Sequence, residues 1–230
     1  AYSQTFVEDT IFSFFIEVAP LIDGEIDAEW DAAPYVAIVH WGEEDDGTMT
    51  PVPDEDDFKA DYKLMWDDEY VYFLGVVVDD IVCDQANAIE TESPGWEQDS
   101  WEFYVAPTMT KLPDMSECTQ IRMSFANQTW ENPPANLATG DYWSEDGFTL
   151  TDFISQADRK LSDDGWILEA RMDLAPIAAA SDGFEDVYEL GSIMGFEIVV
   201  SDRDEEVGDN GGVRDVLGTT TWDHVWNEAD

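Results

Sequence analysis

The sequence predicts an all-β protein, an antiparallel β-sandwich of the jelly-roll or immunoglobulin-like type with long acidic loops. Short apolar stretches that alternate with period 2 recur along the 230 residues, and turns rich in Gly, Pro, Asp and Ser separate them. Almost no stretch has the 3.6-residue period of an amphipathic helix. Several short strands at regular spacing are typical of a sandwich, and the length suits one domain.

The central strand is predicted at residues 100–105, where the alternation is clearest. Trp101 and Phe103 fall on the face that meets the core, and Glu102 falls on the other face. Trp96 stands just before the strand, at its mouth. An indole beside a carboxylate on a rigid strand suits a sugar, because the ring covers C–H groups and the acid accepts from hydroxyls. A tryptophan of the core is the alternative interpretation.

Four strands are predicted before the central one, at residues 11–18, 35–41, 60–66 and 70–78. The first is an apolar run that Pro20 ends. A turn at residues 22–27 and a short helical piece anchored by Trp30 follow it. The acidic residues 43–57 contain Gly and Pro and predict a solvated loop. The last two of these strands form a hairpin about residues 67–69.

Four strands are predicted after the central one, at residues 119–130, 154–161, 166–172 and 195–201. The second and third form a hairpin about the turn at residues 162–165. Residues 202–212 form an acidic loop that contains several glycines. Residues 213–230 end the chain and contain Trp222 and Trp226, and no strand is predicted in them.

The net charge is the unusual feature of the composition. The chain has 9 Lys and Arg and 54 Asp and Glu, which gives a formal net charge of −45. Self-repulsion on this scale destabilises a fold unless salt screens it or divalent cations neutralise it. We therefore expect neither nucleic acid nor an anionic membrane as a partner, and we expect a halophilic or marine setting, bound Ca²⁺, or both. An aromatic fraction of 13% still indicates a folded domain.

The termini and the cysteines bear on the compartment. No apolar run is long enough to span a membrane. No basic start precedes Ala1, so the N-terminus does not resemble a signal peptide, although it could be a mature end left by cleavage. Cys83 and Cys118 are too few for a disulfide scaffold and lack metal-ligand spacing. One bridge between them is an alternative that would fit an oxidising compartment. The expected location is extracellular or at the cell surface.

Six segments, taken in order, resemble the family 9 carbohydrate-binding modules, the sandwich domains appended to xylanases and related secreted proteins. The segments are IDGEID at 22–27 followed by Trp30, KLMWDDEYVY at 63–72, WEQDS at 96–100 with Glu102, QIR at 120–122, GWILEA at 165–170 and GFEI at 195–198. Each segment is weak alone, but the ordered set is specific. The resemblance extends from about Ile22 to the C-terminus.

The resemblance implies a module that grips the end of a glucan or xylan chain between two tryptophans. Trp96 matches one of these, and Trp226 best matches the other. Glu102 and Arg122 match the polar positions, where a carboxylate and an Arg fork can each bind several hydroxyls.

Two departures from the family pattern concern the same site. Val199 occupies a position where relatives place a polar amide. The segment 222–226 is shorter than usual and leaves only Asp223 where relatives have an Asn. A scaffold with weakened or changed sugar binding is therefore the alternative to retained binding.

The resemblance also implies structural Ca²⁺. The predicted ligands are acidic residues of one glycine-bearing loop, namely Asp202, Asp204, Glu205 and Asp209. Carboxylates of this kind in a flexible loop suit the oxygen ligation that Ca²⁺ prefers. A solvated acidic loop is the alternative interpretation of these four residues.

The first functional hypothesis is a secreted, non-catalytic module that binds a polysaccharide or oligosaccharide. No Ser/His/Asp order and no zinc signature indicates an enzyme, and His40 and His224 lie in unrelated segments. The rival hypothesis is a structural subunit of an extracellular filament or surface layer, built on the same sandwich and assembled from copies of this chain.

The rival hypothesis divides the chain into an N-terminal strand, residues 1–18, and a sandwich, residues 19–230. Relatives close the sandwich with a last strand, and here the chain stops at Asp230 before it. The N-terminal strand of a neighbouring copy would fill that place by β-augmentation. The alternatives are that the sequence is a trimmed fragment, or that the N-terminal strand pairs within its own sandwich.

Overall fold

The structure is a computed structural model that describes residues 12–38, 40–41, 58–82, 99–106, 119–125, 154–175, 195–203 and 214–218. The strands within these ranges are β1 Phe14–Phe15, β2 Val36–Ala37, β3 His40–Trp41, β4 Phe58–Trp66, β5 Tyr70–Asp79, β6 Ser100–Ala106, β7 Thr119–Ser124, β8 Ile154–Ser162, β9 Gly165–Asp173, β10 Gly195–Arg203 and β11 Arg214–Gly218. A short 3₁₀ helix spans Ala28–Ala32.

The strands form two sheets that pack face to face. The first sheet has the order β1-β4-β5-β9-β8, with β2 also paired to β4, and the second has the order β3-β11-β10-β6-β7. Every pairing among these described strands is antiparallel except that of β1 with β4. The predicted antiparallel sandwich is therefore confirmed, with one parallel contact at a sheet edge.

The main core lies between the two sheets. Phe73 of the first sheet meets Trp101 and Phe103 of the second edge-on, with ring centroids 5.0 and 4.6 Å apart. Trp101 also lies over Gly75, where an added Cβ would come within 2.5 Å of the indole ring. Glycine at residue 75 therefore lets the two sheets approach at this point.

A second core lies on the outer face of the first sheet. Residues 12–35 cross this face and bury apolar side chains against it, and the cluster consists of Ile16, Ile22, Trp30, Ala33, Met65, Tyr72 and Leu74. The predicted helical piece anchored by Trp30 is thus confirmed as the 3₁₀ helix, with its indole fully buried.

Glu169 on β9 holds this covering segment in place. Its Oε2 accepts hydrogen bonds from the backbone N–H groups of Asp23, at 2.9 Å, and Gly24, at 2.7 Å. Its Oε1 accepts from the indole Nε1 of Trp30 at 2.7 Å. Gly24 has a φ of 78°, a left-handed conformation that suits glycine. Burial raises the pKa of Glu169, and the three hydrogen bonds oppose that rise.

Basic side chains add to the attachment. The buried Lys63 donates from Nζ to the carbonyl oxygen of Trp30 at 2.8 Å and lies over the ring of Tyr35. Burial lowers the pKa of Lys63. Lys160 on β8 pairs with Glu25 in the covering segment. Lys63 and Lys160, two of the chain's few basic residues, thus attach the covering segment to the first sheet.

Both predicted hairpins are confirmed by β4–β5 and β8–β9. The predicted single strand at residues 35–41 is wrong, because β2 pairs with β4 and β3 pairs with β11 in the other sheet. This segment crosses from one sheet to the other. The strand β11 was not predicted, and β10 continues to Arg203, into the predicted acidic loop.

The N-terminal strand pairs within its own sheet where the structure describes it. Phe14 and Phe15 are the partners of Met65 and Trp66 on β4, and the N–H of Ile16 donates to the carbonyl oxygen of Trp66 at 2.9 Å. These residues therefore pair within their own sandwich, which was one of the alternatives to strand donation. Residues 1–11 and 219–230 lie outside the described ranges, so strand donation between copies stays a prediction.

Gly75→Ala is expected to lower the free energy of unfolding by about 1–3 kcal/mol, because the new methyl group would overlap the indole of Trp101. Urea denaturation measures the change. Asp68→Ala, in the exposed turn between β4 and β5, is the control and should have little effect. A Gly75→Ala protein as stable as wild type would contradict the close packing.

Glu169→Gln should cost about 1–3 kcal/mol of stability, because an amide keeps the shape but presents N–H donors where one oxygen now accepts. In a chain of charge −45, loss of an exposed acid should instead be neutral or stabilising. Asp163→Asn, in the exposed β8–β9 turn, therefore provides a control of opposite sign. Equal melting temperatures for the two variants would show that the three hydrogen bonds do not matter.

Candidate functional site

The second sheet has one face on the core and one face that carries polar residues. On β6, Trp101 and Phe103 belong to the core, so alternation places Ser100 and Glu102 on the opposite, outer face. On β10, alternation likewise places Val199 and Ser201 on the outer face, because Ile198 and Val200 belong to the core.

A row of cross-strand partners runs over this outer face. Glu102 on β6 is the Cα partner of Arg122 on β7 and of Val199 on β10. Val199 is the partner of Gly218 on β11, which in turn is the partner of His40 on β3. Glu102 and Val199 are 3% and 1% exposed. The row therefore lines up positions from all five strands of the sheet.

Two of the five predicted sugar-binding residues are brought together in this row. Glu102 and Arg122 occupy facing positions on neighbouring strands. Val199, the departure from the family pattern, lies on the other side of Glu102. Trp96, Asp223 and Trp226 lie outside the described residues, so their predicted roles stay predictions.

A second row on the same face consists largely of serines, and sequence reasoning did not single it out. Ser100 is the Cα partner of Ser124 on β7 and of Ser201 on β10. Ser100 and Ser201 are 0% and 1% exposed. The sequence could have indicated them, because Ser100 stands two residues from Glu102 and Ser201 stands two residues from Val199. Alternation along a strand therefore places both serines on the same face as the first row.

Three buried aspartates meet at one end of the main core. Asp79, Asp99 and Asp202 each place a carboxylate oxygen within 4.8 Å of the others, and their exposed fractions are 5%, 0% and 1%. Asp79 ends β5 of the first sheet, whereas Asp99 directly precedes β6 and Asp202 belongs to β10 of the second. The acidic triad, as we call these three residues, thus joins the two sheets.

The geometry of the acidic triad fits one divalent cation. Oxygens that lie 2.3–2.6 Å from a shared Ca²⁺ can be at most about 5 Å apart, which agrees with the observed limit of 4.8 Å. An all-carboxylate donor set favours Ca²⁺, Mg²⁺ or Mn²⁺ over zinc. Three buried carboxylates this close repel one another strongly unless a cation or bound protons offset their charge.

The predicted metal residues are only partly represented in the acidic triad. Asp202 belongs to it, while Asp204, Glu205 and Asp209 lie outside the described residues. Asp79 and Asp99 were missed. The sequence could have indicated both, because Asp79 stands two residues after the core residue Val77 and Asp99 stands two residues before the core residue Trp101. Alternation therefore places both aspartates on the core side. Cys83 and Cys118 also lie outside the described ranges, so their pairing stays a prediction.

In the part of the chain that the structure describes, no helix has the length and apolar character required to cross a membrane.

Comparison with known proteins gives one family. The family model described as "Carbohydrate family 9 binding domain-like" matches residues 22–230. An exoglucanase of Acetivibrio thermocellus is 26% identical over 204 residues, which make up 88% of this chain and 14% of the exoglucanase. The chain therefore spans only a small part of that curated relative.

Two solved structures are similar in fold. Both are of a family 9 carbohydrate-binding module from Caldicellulosiruptor kristjanssonii, one in complex with glucose and one in complex with cellotriose. Their TM-scores are 0.59 and 0.57 at 22% and 20% identity, and the alignments cover 91% and 90% of this chain and 84% of each module. At these identities the similarity demonstrates the shared sandwich fold.

Proposed function

The chain belongs to the carbohydrate family 9 binding domain-like family, and we propose that it is a secreted, non-catalytic module that binds the ends of β-glucan or xylan chains. The chain end would lie between the indoles of Trp96 and Trp226, with Glu102, Arg122 and Asp223 around its hydroxyls. An extracellular or cell-surface location goes with this function, because such polysaccharides are too large to enter a cell.

The observation that carries the proposal is the facing position of Glu102 and Arg122 on β6 and β7, on the sheet face away from the core. A carboxylate offers several lone pairs and a guanidinium offers five N–H donors, so the two can bind several hydroxyls of one sugar. The glucose and cellotriose complexes of the structural relatives support a neutral gluco-oligosaccharide as the ligand.

Val199 reduces the number of hydrogen bonds that this site can form with a sugar. It lies beside Glu102 in the row and is buried, and its side chain neither donates nor accepts a hydrogen bond. On the described strands of the row, hydrogen bonds to the sugar would therefore come mainly from Glu102 and Arg122. We expect binding to depend strongly on the stacking aromatic residues.

The proposal of a binding module rather than an enzyme is supported by the family itself, because the model that matches residues 22–230 is described as a binding domain.

The acidic triad would hold a structural Ca²⁺. Asp79, Asp99 and Asp202 would each supply a carboxylate oxygen, and the ion would offset three negative charges that are buried together. Because the triad joins β5 to β10 and to the residue that precedes β6, the bound ion would connect the two sheets at this end of the core.

Trp96→Ala is expected to abolish binding of cellotriose and xylotriose while the melting temperature changes little, because the ring would stack on sugar rather than in the core. Titration calorimetry and thermal melting measure the two effects. Tyr35→Ala removes an exposed aromatic side chain beside the first sheet and should leave binding unchanged. Wild-type affinity in Trp96→Ala would refute the stacking role, and a wild-type protein that binds neither sugar would refute the module.

Removal of calcium should lower the melting temperature of the wild type by on the order of 5 °C, if the site is saturated in millimolar Ca²⁺. Asp79→Asn should lose this calcium response. In the presence of chelator it should melt above the wild type, because one of three repelling carboxylates has been neutralised. Added NaCl should stabilise both proteins alike through screening.

The control for the calcium test is Asp68→Asn, in the exposed β4–β5 turn, which should retain the full response. Luminescence of Tb³⁺ provides a second measurement, because Trp101 follows Asp99 by two residues and could sensitise the bound ion. A melting curve that neither Ca²⁺ nor chelator moves would rule out the proposed ion.

A further inference from the structure

Two serines lie one row beyond Glu102 on the outer face of the second sheet. Ser100 and Ser201 are Cα partners on β6 and β10, and each stands two residues from the Glu102–Val199 pair. Two residues of a strand span about 7 Å. The serine pair therefore occupies the row next to Glu102 on this face.

The hydroxyls of both serines are buried without a hydrogen bond. Ser100 is 0% and Ser201 is 1% exposed, and over the described ranges neither Oγ has a hydrogen-bond partner. A hydroxyl removed from water without a partner lowers the stability of a fold. Two such groups side by side therefore require an explanation other than stability.

Packing does not supply that explanation. Val199 is on the same face of the same strand as Ser201 and is equally buried, at 1% exposure. An apolar side chain is thus accommodated in this environment, and alanine would fit wherever serine fits. The hydroxyl oxygens are the feature that distinguishes residues 100 and 201 from an apolar pair.

We propose that Ser100 and Ser201 form a subsite that binds two neighbouring hydroxyls of the sugar. The inference rests on the proposed function and deepens it. Each serine offers one donor and two lone pairs, which matches the hydrogen-bonding capacity of a sugar hydroxyl. Facing residues on neighbouring strands have Cβ atoms about 5 Å apart, so the pair can engage adjacent substituents of one pyranose ring.

The test compares Ser100→Ala, Ser201→Ala and the double variant with the wild type, using cellotriose and xylotriose in titration calorimetry and melting curves without sugar. Each single substitution should raise Kd about three- to tenfold for the sugar that the wild type binds, and the double substitution should raise it further. The melting temperature should stay the same or rise, because an unsatisfied hydroxyl has been removed. Ser162→Ala, at the exposed end of β8, is the matched control and should change neither quantity.

The outcomes separate this inference from the proposed function. Wild-type affinity in both single variants overturns the subsite but leaves the module intact, and a lowered melting temperature with unchanged affinity assigns the serines a structural role and also overturns it. A wild-type protein that binds neither sugar overturns the proposed function, and the subsite with it.

Discussion

Trp101 lies directly over Gly75, and this contact sets how closely the two sheets pack. The indole would collide with any side chain at residue 75, so the sheets approach only because glycine leaves the space open. The inner faces of β5 and β6 are then held in a fixed relation, and the same relation brings Asp79 to Asp99 at the end of the core. The core contact and the acidic triad therefore depend on one geometry, and a change in sheet spacing would disturb both.

Some of the acidic side chains in this very acidic chain stabilise its local structure by accepting hydrogen bonds. Glu169 holds the covering segment through two backbone N–H groups and one indole. Asp67 accepts from the N–H groups of Glu69 and Tyr70 and from the hydroxyl of Tyr72, and so fixes the β4–β5 turn. Part of the negative charge is therefore used to organise the backbone rather than exposed to solvent alone.

Local elements were predictable and long-range ones were not. The hairpin partners β4–β5 and β8–β9 are separated by short polar turns, so alternation on both sides of a turn was enough to predict them. Residues 35–41 show the same alternation, yet β2 and β3 pair with strands of different sheets. Which partner a strand takes depends on contacts with residues distant in sequence, and a short alternating stretch contains no information about them. The same reason explains the missed β11 and the shortness of β1.

The sequence by itself determined that Glu102 faces away from the core, because its neighbours on both sides are core residues and a strand alternates whatever its partners are. It also determined the family, through an ordered set of segments. Only the tertiary structure decided that Arg122 lies opposite Glu102, since a shift of one residue in the β6–β7 register would put a core side chain there instead. Likewise, Asp79, Asp99 and Asp202 are far apart in the chain, and they meet because two sheets stack and each strand continues its inward alternation to the same end of the core.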